Sequence, residues 1–182
     1  SHLKKQFQLE TMAHLTCVGA TPEYISQYLQ RLRENGVDNV LALRGDIPKG
    51  QEIDRETSEF RHAADLVRFA KGHQPDMGIG VAGYPAPHPE SPSFSSDWRY
   101  TVAKIREGAD FVVTQLFFDV REYFHFVDRL SDMGVSVPVI PGILPIQSLE
   151  SIRRTLSLCG ANIPGKLYLA LEEANEKGGA EA

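Results

Sequence analysis

Cysteine is nearly missing from this chain: two residues, Cys17 and Cys159, stand among 182. They lie far apart and fit no metal-binding spacing. That excludes a disulfide framework and points to a reducing cytoplasm. Positive charge is not in excess either, with 19 Lys and Arg against 24 Asp and Glu and a net charge of -5. A polyanion-binding surface needs the opposite balance, so no nucleic-acid partner is expected. No apolar run approaches membrane-spanning length and no signal-peptide pattern occurs, so no membrane partner is expected and a soluble, cytoplasmic protein is. His62, His73 and His125 show no ligand spacing, and no metal site is expected. The glycine-rich fingerprint of dinucleotide sites is lacking too: "HLTCVGATPEY", after the start of the first apolar stretch, holds Gly19 alone.

What is present is a repeating pattern. Apolar runs occur at His14–Val18, Asn39–Leu43, Met77–Ala82, Phe111–Phe118 and Val137–Ile143. They are nearly continuous rather than alternating, as in parallel strands covered on both faces. A helical pattern follows each. The first has Thr21 as cap, Pro22 at the first helical position, Ile25, Leu29 and Leu32 on one face, and Asn35-Gly36 as a stop. The second places Phe60, Ala63, Val67 and Ala70 on a face before Gly72, and the third Trp98, Val102 and Ile105 before Gly108. A fourth runs from about Arg121 to Met133, and a fifth from near Ser148 to Gly160. One domain over 1–182 is expected: a leading helix or tag remnant at 1–12, βα units over 13–160, and a helical tail over 161–182. Strands about thirty residues apart suit βα units. These could form an open, doubly wound sheet or consecutive units of an eight-stranded barrel. Polar residues recur near strand ends: His14 and Thr16, Arg44 and Asp46, Tyr84 and His88, Gln115 and Asp119. A ring of polar residues from several strands favours the barrel, of which about five units are present.

Three stretches carry candidate chemistry. In "LALRGD", Arg44 and Asp46 are two residues apart and on a strand would point the same way, while Gly45 would let a flat ligand approach the backbone. The plainer alternative is a surface ion pair of little consequence. In "GYPAPHPESPSF", prolines stiffen a loop that offers Tyr84 and His88 to a planar cofactor, or else a rigid connection with incidental aromatics. In "TQLFFD", Gln115 lies among apolar residues, where its amide needs partners from a ligand or from a neighbouring strand. His14 is expected at the start of a strand. Lys104, in a helix, is most simply solvated, with a phosphate contact as the alternative.

Taken together, "AHLTCVGAT", "LALRGDIPKG", "AGYPAPHPE", "GADFVVTQLFFD" and "PVIPGILPIQ" resemble the methylenetetrahydrofolate reductase family, in order and spacing, from Ala13 to about Gln147. The resemblance implies a (β/α)8 TIM-type barrel, incomplete here and holding roughly the third to seventh strands. It implies FAD at the carboxyl ends of the strands, NADH or NADPH as co-substrate, and a folate substrate. By the same match, His14, Arg44, Gly45, Asp46, His62, Ala63, Tyr84, His88, Ser91, Asp97 and Lys104 would hold FAD, while Asp46 and Gln115 would contact the folate. Some relatives carry further polar residues at the positions of Tyr100 and Ala103. The family's general acid is a glutamate on the first strand, and nothing in this sequence corresponds to it. Poor activity of this chain alone and self-association through open sheet edges are therefore expected. A non-catalytic flavin- or folate-binding module, or a subunit completed by another chain, is the alternative. An adhesive role for Arg44-Gly45-Asp46 does not fit the strand context.

Overall fold

The computed structural model describes residues 2–47, 50, 58–86, 88 and 91–178. Pro48 and Lys49 of the Arg-Gly-Asp stretch, and Pro87, Pro89 and Glu90 of the proline-rich loop, lie outside the described residues. In chain order the elements are α1 (His2–Phe7), β1 (Met12–Thr16), α2 (Pro22–Glu34), β2 (Asn39–Leu43), α3 (Ala63–His73) and β3 (Gly78–Gly83). They continue with α4 (Phe94–Arg106), β4 (Phe111–Leu116), α5 (Val120–Asp132), β5 (Val139–Gly142), α6 (Leu149–Cys159) and α7 (Gly165–Glu176).

The strands form one sheet in the order β1-β2-β3-β4-β5. β1 and β2 run parallel with Met12 opposite Asn39, and β2 and β3 run parallel with Asn39 opposite Gly78. A doubly wound sheet reverses its strand order at a switch point, whereas barrel units follow one another without reversal. The unreversed order settles the choice left open by the apolar pattern: this is a barrel-type α/β fold, with the sheet not closed.

Two compact units make up the chain, Ser1–Ala82 with Thr101–Val112, and Gly83–Tyr100 with Val113–Ala182. In the first, Ile25, Leu29, Val40, Leu66, Val67, Ile79 and Val81 are completely buried. Each such side chain contributes about 1.5–3 kcal/mol relative to exposure. Thr21 Oγ1 accepts the Tyr24 N–H at 3.3 Å, and Pro22 opens α2 as its sequence predicts. At the amino end of β3, the Asp110 carboxylate accepts the Ile79 N–H at 2.7 Å and pairs with Lys71 at 2.8 Å. In the second unit the buried residues include Phe126, Leu130, Leu149 and Ile152, and Tyr123 Oη donates to the Val139 carbonyl at 2.8 Å.

Several expectations need correction. β1 starts at Met12, so His14 sits mid-strand rather than at its start. α3 starts at Ala63, leaving Phe60 before it, because Asp65 Oδ2 accepts both the Arg61 and His62 N–H groups at 3.1 and 3.0 Å and closes the helix there. Gly72 lies inside α3 rather than ending it. The leading helix covers only His2–Phe7. On α4, Val102 is buried as expected, but so are Asp97 at 5%, Thr101 at 0% and Lys104 at 9% exposure. Spaced four and three residues apart, they form a buried polar stripe that the apolar periodicity did not reveal.

Candidate functional site

The Arg44-Gly45-Asp46 segment follows directly on the carboxyl end of β2. The residues leaving β1 hold it in place: Val18 N–H donates to the Arg44 carbonyl at 2.8 Å, and Cys17 N–H is 3.2 Å from both the Leu43 and Arg44 carbonyls. Gly45 has φ +85, and a Cβ there would lie 2.9 Å from Thr16 Cβ and from Val18 Cγ1. The glycine is therefore demanded first by the close approach of the chain leaving β1. Its positive φ also ends the strand geometry, so Arg44 and Asp46 do not share a strand face as their spacing had suggested. Arg44 is half-buried, its Nε donating to the Gly45 carbonyl at 3.3 Å, and Asp46 is exposed.

The remaining predicted residues of this unit are set around the exits of β1 and β3. His14 lines a groove of about 560 Å³ with Thr16, Val18, Thr21, Tyr24 and Tyr28. Tyr24 and Tyr28 stack at 6.1 Å. His62 is the residue preceding α3 and Ala63 is its first. The Cys17 thiol donates to the His62 carbonyl at 3.9 Å, and burial pushes its pKa up to about 11. Lys104 is not solvated, contrary to the simplest sequence expectation: it is buried and its ammonium donates to the Ala82 carbonyl.

In the second unit, four predicted residues cluster in the loop between β3 and α4 and in the first turn of that helix. The Tyr84 and His88 rings meet edge to face at 4.9 Å. Asp97 Oδ2 accepts the His88 N–H at 2.9 Å, and the His88 carbonyl accepts the Ser91 N–H at 2.8 Å. Hydroxyls crowd the start of α4, where Ser93 Oγ lies 3.1 Å from Ser95 Oγ and 2.9 Å from Ser96 Oγ. Gln115, next to last in β4, turns Oε1 back to accept the Leu116 N–H at 2.9 Å. Its partner is thus its own strand rather than a neighbouring one. Beside it, Thr114 Oγ1 accepts the Gly142 N–H at 2.9 Å, and a Cβ at Gly142 would collide with the Thr114 carbonyl oxygen. Asp119 caps α5, and its contacts with Arg121 hold the carboxyl well down, at about 2.

Sequence reasoning missed Thr101, which is fully buried between Asp97 and Lys104 on α4. The available signal was the spacing of those three polar residues at one helical face, read against an apolar face that was expected to carry the packing.

Comparison with known proteins agrees with this architecture and with the motifs. Residues 1–181 match the family model described as methylenetetrahydrofolate reductase. The chain is 39% identical over 183 residues to methylenetetrahydrofolate reductase (NADH) 1 of Arabidopsis thaliana, covering 94% of this chain and 31% of that protein. It is 35% identical over 170 residues to 5,10-methylenetetrahydrofolate reductase of Salmonella typhimurium, covering 93% of this chain and 55% of that one. It thus spans about a third and about half of these two relatives. Among solved structures, a protein from Clostridium thermocellum that binds two copies of 5-methyl-5,6,7,8-tetrahydrofolic acid superposes with a TM-score of 0.62. At 15% identity, with 94% of this chain and 58% of the other covered, that likeness concerns the fold. With the family model matched over nearly its whole length and the motifs lying at the carboxyl ends of successive parallel strands, the chain belongs to the methylenetetrahydrofolate reductase family.

Proposed function

We propose that this chain carries flavin- and folate-binding residues of an enzyme that reduces 5,10-methylenetetrahydrofolate to 5-methyltetrahydrofolate, with FAD as cofactor and NADH or NADPH as hydride source. The observation that carries this reading is the Arg44-Gly45-Asp46 turn, pinned to the exit of β1 with the Asp46 carboxylate exposed at the end of β2. The Clostridium thermocellum protein's folate ligand supports a folate substrate on this type of fold.

The donor set suits FAD. Arg44 supplies a planar cation for phosphate or ring oxygens. The Tyr84–His88 ring pair offers an aromatic surface with polar tips, and the hydroxyls and N–H groups at the start of α4, Ser91 among them, suit an anionic group. His14, Gly45, His62, Ala63, Asp97 and Lys104 complete the proposed cofactor contacts. When bound, FAD supplies a two-electron hydride carrier. The chain's own part is electrostatic and positional. Asp46 would stabilise the cation formed when the folate's one-carbon bridge opens, a charge that a fixed carboxylate lowers in energy. With Gln115 Oε1 engaged by Leu116, the amide's Nε2 donors are the end offered to a folate ring acceptor.

Proton delivery to the folate nitrogen needs a further carboxylic acid. Glu10 is paired with Lys4 at 3.2 Å, and Glu23 lies in the first turn of α2. Neither sits at the carboxyl end of a strand. By the family resemblance that acid is a strand glutamate with no counterpart in this sequence, so the chain assayed by itself is expected to take up FAD yet turn over folate poorly. The same observation favours a second reading, in which this is a flavin- or folate-binding subunit completed by another chain. The two free thiols fit a reducing, cytoplasmic setting.

Purified protein settles the first point: yellow colour with flavin released on denaturation is expected, and protein that takes up no FAD overturns the proposal. Bleaching of the bound flavin by NADH or NADPH without folate turnover is expected of this chain alone. Turnover equal to that of a complete relative would overturn the need for an acid from elsewhere.

A further inference from the structure

At the carboxyl ends of β4 and β5, two main-chain amides bond side-chain oxygens. Leu116 N–H donates to Gln115 Oε1 and Gly142 N–H donates to Thr114 Oγ1, each at 2.9 Å. The two acceptors are consecutive residues of β4, and β4 and β5 are adjacent strands of the sheet. Thr114 is buried at 5% exposure, whereas Gln115 is half-buried. Alternation along a strand turns their side chains to opposite faces. A ligand held by Gln115 therefore lies on the face that Thr114 points away from.

The strands are in close contact here. A Cβ at Gly142 would collide with the Thr114 carbonyl oxygen, so the glycine lets the two backbones approach and brings its N–H to the hydroxyl. Gly142 is the last residue of β5. The Thr114 hydroxyl thus ties the end of β5 to β4 one residue before Gln115. With Oε1 bonded to its own strand, the Gln115 amide points where the end of β4 directs it. A donor that must meet a ligand acceptor loses most of its effect when displaced by about 1 Å, and residues behind a site commonly supply that rigidity.

We propose that Thr114 is a positioning residue whose hydroxyl, by fixing the end of β5 on β4, sets where Gln115 presents its Nε2 donors to a folate ring. The ligand half of this inference rests on the folate reading above. What counts at position 114 is the hydroxyl. Serine keeps it, whereas valine nearly keeps the branched shape and leaves the Gly142 N–H without this acceptor.

The test uses Thr114→Val and Thr114→Ser in the full chain, each checked for folding by thermal melting. Thr114→Ala replaces the valine variant if that one does not fold. Amide hydrogen exchange without ligand reads the tether: Gly142 is expected to exchange at least about tenfold faster with valine and near the parental rate with serine. Calorimetric titration with 5-methyltetrahydrofolate, FAD being present in excess, is expected to give a Kd raised about tenfold with valine and within about threefold of the parent with serine. The Kd for FAD itself is expected to stay within about threefold in both variants, which a general loosening of the fold would not allow. In a Gln115→Ala background, Thr114→Val is expected to change the folate Kd by less than about twofold, because the residue it positions is gone. An unchanged Gly142 exchange rate with valine, serine as weak as valine, or a full valine effect without Gln115 would each overturn the proposal. A parent chain that binds no folate removes the folate reading and overturns the ligand half with it, while the exchange rates still decide the tether.

Discussion

At Gly45 two constraints coincide: a φ of +85, and a space in which any Cβ would come within 2.9 Å of Thr16 and Val18 side-chain carbons. An alanine there meets both a disfavoured backbone region and the side chains of a packed neighbour, which cannot swing aside as the tip of a long side chain could. Gly45→Ala should therefore destabilise the chain by about 1–3 kcal/mol, measured by urea unfolding, and should also weaken FAD uptake by displacing Asp46. Asp46→Asn, by contrast, should leave stability unchanged because the side chain is exposed. In an enzyme complete with its general acid, stopped-flow half-reactions should show folate reduction slowed by about 10²-fold or more, with flavin reduction by the nicotinamide much less affected. Equal slowing of both would remove the proposed role in cation stabilisation. Cys17 makes a third case. With its pKa raised to about 11 by burial, the thiol stays protonated throughout the neutral range, and only the thiolate is nucleophilic. Because the folded value lies above the unfolded one, the stability this adds is present below about pH 8.5 and fades as pH rises through the folded value. Iodoacetamide at pH 8 should modify Cys159, which is half-buried, well before Cys17, and both should react once the chain is unfolded.

Among the elements, α2 and α4 show how differently helices expose their logic to a reader of sequence. In α2 every local signal agrees: Thr21 caps, Pro22 opens, Ile25 and Leu29 are fully buried, and Gly36 follows with φ +70. In α4 the apolar periodicity gave the helix but not its inward face. Trp98 and Ile105 are only half-buried, while Asp97, Thr101 and Lys104 are deep. Hydrophobic patterning ranks residues by transfer free energy and is blind to a polar side chain whose partner is a main-chain atom of another segment. Lys104→Met nearly keeps the length and removes the ammonium that bonds the Ala82 carbonyl. It should cost about 1 kcal/mol or more in urea unfolding, since it leaves a partly buried acceptor without this donor. A neutral result would show that water takes the place of the ammonium.

For the whole molecule, the unreversed strand order leaves β1 and β5 as the two ends of an unclosed sheet. β1 presents Met12, His14 and Thr16 as exposed residues, and Ile140, Ile143 and Leu144 are exposed in and just after β5. Among the described residues neither of these edges has a further partner strand, and open parallel edges with apolar residues beside them favour association. Sedimentation of the isolated chain should reveal oligomers that grow with concentration; a monomer at high concentration would contradict this. Apolar runs at βα spacing were enough to identify an α/β class of fold, and five motif stretches in their order and spacing carried the resemblance to the family. Those are properties of local order along a chain: side-chain hydrophobicity, helix caps and motif spacing act over a few residues. Long-range pairing decided the rest. The sheet order chose between an open doubly wound sheet and barrel units, the approach of Thr16 and Val18 added a packing requirement at Gly45, and the bonds to Ala82 and His88 accompany two buried charges on α4. Each depends on segments distant in sequence coming within a few ångströms, a fact that no residue carries in its own type.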